Sequence, residues 1–203
     1  QRVCGSSEGR QMKREFELKA AAPGGAAEIR QRLVDAGWRL SFEGLMSDRR
    51  FDTPGRSLES RDEVLRIRCM TPICGESRTL LGWKGPASDD QGYKVRSELE
   101  TVVQDAETAV AILENLGYSE DILAIDRSVA VYEKGRVYAR IETYPAMDVL
   151  VELEGDPDRV EECVADLGLP REAWKPWPLD EFVRRYEERT GSEARLSGEV
   201  SGD

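Results

Sequence analysis

The chain has 203 residues, with 40 Asp and Glu against 29 Lys and Arg, a net charge of −11 and no histidine. The length suits one domain, the 39% hydrophobic content supports a core, and the acidic balance disfavours binding to nucleic-acid polymers. Without histidine, Ser-His-Asp and Cys-His catalysis, imidazole base work and histidine-ligated metals are excluded. No apolar run reaches the length of a transmembrane helix, and Gln1–Gln11 lacks the apolar stretch of a secretory signal, so no membrane association is expected. Cys4, Cys69, Cys74 and Cys163 are irregularly spaced. They read as reduced thiols in a cytoplasmic protein.

In chain order, residues 1–11 form a flexible lead-in and Met12 makes a natural start. Eight strand-like runs follow, at Met12–Ala20, Leu40–Asp52, Glu63–Met70, Arg78–Lys84, Tyr93–Val103, Leu123–Glu133, Arg136–Thr143 and Asp148–Glu154. Turn signals at Thr53-Pro54-Gly55, Pro72 to Gly75, Pro86 to Gly92, Lys134-Gly135 and Tyr144-Pro145 separate them. Ala26, Ile29, Leu33 and Ala36 predict a helix that stops at Gly37. Asp105 caps a second with Ala109, Ile112, Leu113 and Leu116, ending at Gly117. Asp156-Pro157 starts a third with Val160, Cys163, Val164 and Leu167, ending at Gly168. Leu179, Phe182, Val183 and Tyr186 predict a last helix, and residues 191–203 a flexible tail.

Strand side chains alternate between two faces. Glu15, Glu17 and Lys19 share one face, with Phe16 and Leu18 on the other. Arg66 and Arg68 oppose Leu65 and Ile67, and Arg96, Glu98 and Glu100 oppose Val95 and Leu99. Arg140 and Glu142 oppose Ile141, and Glu152 and Glu154 oppose Val151 and Leu153. One such strand is an ordinary solvated face. Five of them, beside amphipathic helices that need an apolar sheet to cover, predict a sheet curled into a barrel with charge inside. Carboxylates confined there need a cation, and paired Glu side chains suit Mg²⁺ or Mn²⁺. The remaining Lys and Arg need an anion, and guanidinium forks match phosphate oxygens. Together they describe a polyphosphate site that needs no histidine.

Glu15-Phe16-Glu17-Leu18-Lys19 resembles the ExExK signature of the CYTH domain, the triphosphate tunnel metalloenzymes. Later strings follow in that family's order. Phe51-Asp52-Thr53-Pro54 with Leu58 is similar to its "YFDTP…L" turn, and Leu65-Arg66-Ile67-Arg68 to its "LRIR" strand. Leu81-Gly82-Trp83-Lys84-Gly85-Pro86 resembles "LTxKGP", and Arg96-Ser97-Glu98-Leu99-Glu100 resembles "RxExE". Arg127 with Tyr132 resembles "KxRxxY", and Val151-Glu152-Leu153-Glu154 the closing "VEIE".

The resemblance, from about Met12 to Tyr186, implies a domain over residues 12–190 with an α+β fold: an eight-stranded antiparallel closed β-barrel, or tunnel, with helices packed outside. It implies a Mg²⁺- or Mn²⁺-dependent enzyme acting on tripolyphosphate, ATP or thiamine triphosphate. Carried over, Glu15, Glu17, Glu98, Glu100, Glu142, Glu152 and Glu154 hold metal. Lys19, Arg66, Arg68, Lys84, Arg96 and Arg127 hold phosphate, with Lys19 and Glu17 the catalytic candidates. Ile125 stands where the family has Lys, and Glu142 where it has Asp. Trp83 reads as outward packing, as do Trp38, Trp174 and Trp177, which otherwise offer an aromatic wall for thiamine.

Hydrolysis demands the fewest special contacts. Cyclisation of ATP, as in the class IV adenylyl cyclase branch that the "FDTP", "LRIR" and "KGP" strings resemble, also requires an adenine pocket. A non-catalytic polyphosphate-binding module has no use for so many carboxylates. A homodimer is compatible with a barrel of this size.

Overall fold

In a computed structural model, which describes the backbone of residues 13–200 and the side chains of residues 16–119 and 124–200, the strand-like runs close on themselves. The strands are Lys13–Ala21 (β1), Arg39–Asp52 (β2), Val64–Pro72 (β3), Arg78–Lys84 (β4), Ser88–Asp90 (β5), Tyr93–Val103 (β6), Ser119–Lys134 (β7), Val137–Thr143 (β8) and Leu150–Glu154 (β9). The hydrogen-bonded order is β1-β9-β8-β7-β2-β3-β4-β6, and β6 pairs again with β1, closing an eight-stranded antiparallel barrel. β5 is a short addition paired with the start of β6, within the run read as a turn at Pro86–Gly92. Residues 1–12, with Cys4, and residues 201–203 lie outside the described residues.

The apolar faces point outward and are covered by helices. Gly25–Asp35 (α1) buries Ile29 and Leu33, and Pro157–Val164 (α3) buries Val160, Cys163 and Val164. They join Leu18, Ala20, Tyr132, Ala139, Ile141, Val151, Leu153, Leu167, Trp38 and Trp174 in the main core. Each such fully buried aliphatic side chain stabilises by about 1.5–3 kcal/mol. Ala106–Asn115 (α2) seats Leu113 on Phe51 and Ile67. Leu179–Thr190 (α4) packs differently: Phe182 seats on Ile125, Tyr144 and Leu150, of which Ile125 and Leu150 share strand faces with the inward Arg127 and Glu152.

The predicted helix signals act as read. Asp105 accepts the Thr108 N–H at the start of α2, and Asp156 accepts the Asp158 N–H at the start of α3 with Pro157 in its first turn. The α1 exit needs a left-handed residue, and Gly37 supplies it at φ 80°.

The Phe51-Asp52-Thr53-Pro54 string is a structural staple. The buried Asp52 carboxylate accepts the backbone N–H groups of Thr53 at 2.6 Å, Leu58 at 3.0 Å and Glu59 at 2.9 Å. From Gly191 the chain runs back along the barrel. Arg195 and Ala146 exchange backbone hydrogen bonds at 2.8 and 3.0 Å, and the Asp126 N–H donates to the Leu196 carbonyl at 2.7 Å.

The interior is not charged throughout. Met46 shares the inward face of β2 with Asp48, Met70 that of β3 with Arg68, and Val129 that of β7 with Arg127. With Leu80 they form a buried apolar cluster flanked by Phe42 and Val131.

Candidate active site in the barrel interior

Closure of the sheet turns the charged faces into one inner wall, and pairing register decides which groups meet. Asp48 on β2 faces Arg68 on β3. Arg68 donates to it twice, Nε to Oδ1 at 2.6 Å and Nη2 to Oδ2 at 2.7 Å. Arg127 reaches the same carboxylate through Nη2 at 3.2 Å, and Arg66 stands 3.7 Å away through Nη1. Three guanidinium groups therefore share one buried carboxylate. Burial opposes ionisation of Asp48, but Arg68, Arg127 and Arg66 override it and hold the carboxyl well below its usual range.

The arginines are incompletely matched. Arg66 Nη2 lies 3.6 Å from Glu100, whose side chain is 40% exposed. Among the described residues, Arg66 Nε, Arg96 Nε and Arg127 Nη1 are buried without an acceptor. Burial, reinforced by Arg68, pushes the Arg66 guanidinium down to about 9, only partly opposed by Asp48 and Glu100. Gly82, opposite Arg66 on β4, leaves space along that side chain: a Cβ there would begin 3.5 Å from Arg66 Nε. Buried donors without acceptors on a cationic wall are what an anion site requires.

The opposite wall, on β1, β8 and β9, is built from carboxylates. Lys19 sits between Glu152 Oε2 at 2.9 Å and Glu142 Oε2 at 3.6 Å. Glu142 also accepts from Arg127 Nε at 2.9 Å and from the Tyr144 hydroxyl at 2.8 Å. Arg140 pairs with Glu152 and lies 3.7 Å from Glu154. Glu17, directly across from Glu154 in the β1–β9 register, pairs with Lys94. Burial would lower the Lys19 ammonium, but Glu152 and Glu142 more than reverse this and hold it above its ordinary range. Lys19 is therefore a fixed positive charge here, with no free base form near neutral pH. Burial would raise Glu142, but Lys19 and Arg127 outweigh it and bring the carboxyl down to about 2.

The structure thus brings Lys19, Arg66, Arg68, Arg127, Glu142, Glu152 and Glu154 together. Lys84 pairs with Glu98 at the β4–β6 seam, and Arg96 pairs with the exposed Asp62. The Glu15 backbone pairs with Arg96, while its side chain lies outside the described residues. Among the described residues no three carboxylates or thiols gather as a metal cluster, because basic partners hold them individually. The donor set nevertheless fits a hard divalent ion. Glu17 and Glu154 are all-oxygen ligands placed directly opposite each other, an arrangement that repels without a cation between them.

Sequence reasoning places Arg140 on the charged face beside Glu142 without giving it a role, and misses Asp48, Arg50 and Lys94 on the inner wall. Ser47-Asp48-Arg49-Arg50 is polar on both faces, so alternation offers no contrast there. The packing reading of the tryptophans agrees with their places. Trp38 and Trp174 are buried in the outer core, and Trp177 packs on Phe182 with ring centroids 5.5 Å apart.

The CYTH domain family model matches residues 13–174. Among proteins of curated function none matches the chain. Solved structures share the fold. A candidate adenylate cyclase from Vibrio parahaemolyticus superposes with a TM-score of 0.73 at 19% identity, covering 86% of this chain and 99% of that one. The PH1819 protein from Pyrococcus horikoshii OT3 gives 0.68 at 23% identity, covering 84% and 98%. A candidate adenylyl cyclase from Hippeastrum, described with a dominant triphosphatase activity, gives 0.59 at 19%, covering 93% and 100%. With an inner wall of opposed carboxylates and guanidinium groups, and a family match spanning most of its length, the chain belongs to the CYTH domain family.

Proposed function

We propose that the chain is a divalent-metal-dependent enzyme that hydrolyses a short inorganic, nucleoside or organic triphosphate inside the barrel. The observation that carries this reading is the division of the inner wall. Asp48 is outnumbered by Arg66, Arg68 and Arg127 on one side, while on the other Glu17, Glu142, Glu152 and Glu154 exceed Lys19, Lys94 and Arg140 by one charge. A triphosphate satisfies the first side, and a Mg²⁺ or Mn²⁺ ion the second.

In this mechanism Arg66, Arg68 and Arg127 grip phosphoryl oxygens, with Lys84 and Arg96 at the seam adding charge. Glu17, Glu152 and Glu154 would hold the ion, which supplies charge neutralisation of the phosphates when bound. Lys19, held protonated between Glu142 and Glu152, places a fixed positive charge beside the substrate. Asp48 and Glu142 hold Arg68 and Arg127 by hydrogen bonds, so little reorganisation accompanies the in-line attack of water on the terminal phosphorus. The attack breaks the bond from that phosphorus to the bridging oxygen and releases orthophosphate and the remaining diphosphate, with the proton of water passing to solvent. Positioning and charge stabilisation supply the rate, as phosphoryl transfer requires.

The second reading is cyclisation of ATP to cyclic AMP and pyrophosphate. The name of the Vibrio relative favours it, whereas the Hippeastrum protein is described with a dominant triphosphatase activity; the apolar cluster of Met46, Met70, Leu80 and Val129 beside Arg127 gives the interior a surface that is not charged. The free thiols of Cys69, Cys74 and Cys163 support a reducing, cytoplasmic setting. No helix among the described residues is long and apolar enough to cross a membrane.

The test is a product panel. The protein is incubated with tripolyphosphate, ATP and thiamine triphosphate, with Mg²⁺ or Mn²⁺, and orthophosphate, pyrophosphate and cyclic AMP are followed. Orthophosphate is expected. Cyclic AMP with pyrophosphate selects the cyclase reading, and binding without turnover leaves only a polyphosphate-binding module.

A further inference from the structure

The inner face of β2 carries a cation for which the assignment above has no use. Arg50 follows Asp48 by two residues, so both face inward. In the β2–β3 register Asp48 lies opposite Arg68, and Arg50 lies directly opposite Arg66. The first pair is a bidentate salt bridge. The second sets two arginines at opposed backbone positions of one inner face, a cross-strand arrangement that disfavours like charges.

Neither member has a close carboxylate of its own. No carboxylate among the described residues comes within ion-pair distance of Arg50. Arg66 reaches Asp48 only at 3.7 Å and Glu100 only at 3.6 Å, and its buried Nε has no acceptor. Asp48 and, from the start of α4, Asp180 attract Arg50 from a distance, while Arg96 and Arg127 repel it. The adjoining strand supplies no cation at this level. Ile125, across from Asp48 on β7, is buried in the apolar cluster of Tyr144, Leu150 and Phe182.

We propose that Arg50 and Arg66 form a cross-strand clamp for one phosphoryl group of the substrate, at the end of the cationic wall nearest α4. The inference rests on the triphosphate reading and adds a residue that sets affinity. Two guanidinium groups carried at opposed positions of adjacent strands can both donate N–H groups to one oxyanion between them. The anion replaces a repulsion with charge-assisted hydrogen bonds. Asp180, at the same end, opposes the incoming phosphate.

The experiment compares wild type with Arg50→Met, Arg50→Lys and Asp180→Asn, by thermal unfolding and calorimetric titration with tripolyphosphate, and by turnover with Mg²⁺. Without ligand, Arg50→Met melts at the same or a higher temperature, because the repulsion is gone. Its tripolyphosphate affinity weakens about 10-fold or more, the scale of one charge-assisted contact. KM rises more than kcat falls, and Lys restores part of the affinity. A structural role for Arg50 predicts the reverse: a lower melting temperature without ligand and unchanged affinity, which overturns the clamp. Asp180 is exposed, so Asp180→Asn remains informative if the Arg50 variants do not fold. It tightens tripolyphosphate binding about 2-fold, the scale of one exposed charge; unchanged or weaker binding overturns the clamp. Wild-type protein that binds tripolyphosphate no better than Arg50→Met overturns the clamp alone. Wild-type protein that binds no oligophosphate overturns the triphosphate reading as well.

Discussion

The two sides of the barrel's inner wall solve the same problem differently. On β1, β8 and β9 the carboxylates nearly balance their basic partners, and the groups interlock: Lys19 between Glu142 and Glu152, Arg140 between Glu152 and Glu154. On β2 and β3, with Arg127 of β7, a single carboxylate, Asp48, serves three guanidinium groups. The first side is close to self-sufficient, whereas the second is stable only because Asp48 holds it together. A buried charge that loses its sole partner is far more damaging than one removed from a balanced network.

The sharpest way to break this asymmetry is Asp48→Asn. It leaves Arg68 without a counter-charge among the described residues, strips one from Arg127 and Arg66, which keep Glu142 and Glu100, and should cost about 3–5 kcal/mol of stability. Chemical denaturation measures the loss, and added tripolyphosphate should recover part of it. Recovery by chloride at the same ionic strength would show that mere screening suffices, against a built anion site.

Next come Glu17→Gln and Glu154→Gln on the acidic side. Each should fold normally and lose roughly 100- to 1000-fold in turnover, the cost of removing one group from a preorganised charged site. Full turnover in either variant would show that the opposed carboxylates have no part in the chemistry.

A pH titration separates the sides further. Glu142 has a folded pKa of about 2 against an ordinary 4.5, and Asp48 is likewise depressed. The stability they contribute is complete above about 4.5 and is lost as pH falls towards 2. Unfolding monitored across that window should steepen on acidification, and Glu142→Gln should flatten the profile. An unchanged slope in the variant would mean that Glu142 does not carry the effect.

The smallest effect is expected at the seam between β4 and β6. Glu100 is 40% exposed and 3.6 Å from Arg66, so Glu100→Gln should change stability by less than about 1 kcal/mol. A larger change in the thermal midpoint would place Glu100 with the buried network.

How far the sequence reveals this depends on the contrast between strand faces. β1, β3 and β9 alternate strictly between charged and apolar residues, so barrel, inner wall and outer core are all legible from Glu17-Leu18-Lys19, Arg66-Ile67-Arg68 and Glu152-Leu153-Glu154. β2 is polar on both faces around Asp48, with Arg49 turned towards Asp126 outside, so its inward residues emerge only with the fold. Met46 and Met70 carry no charge to mark a functional face, and the apolar cluster they form inside the barrel emerges only with the fold. The partners of Glu142 come from β1 and β7, and register alone decides them. The return of Leu196 and Gly198 to Asp126 uses backbone groups, which leave no side-chain signature.

The closure of β1 between β6 and β9 has a temporal side. The opening strand finds no local neighbour: Glu15 waits for Arg96, and Glu17 for Glu154. Such distant pairing slows folding, and until the last strand emerges from the ribosome both flanks of the nascent sheet stay open to self-association. A truncation that omits β9 would therefore be expected to aggregate rather than to yield a smaller, weakened protein.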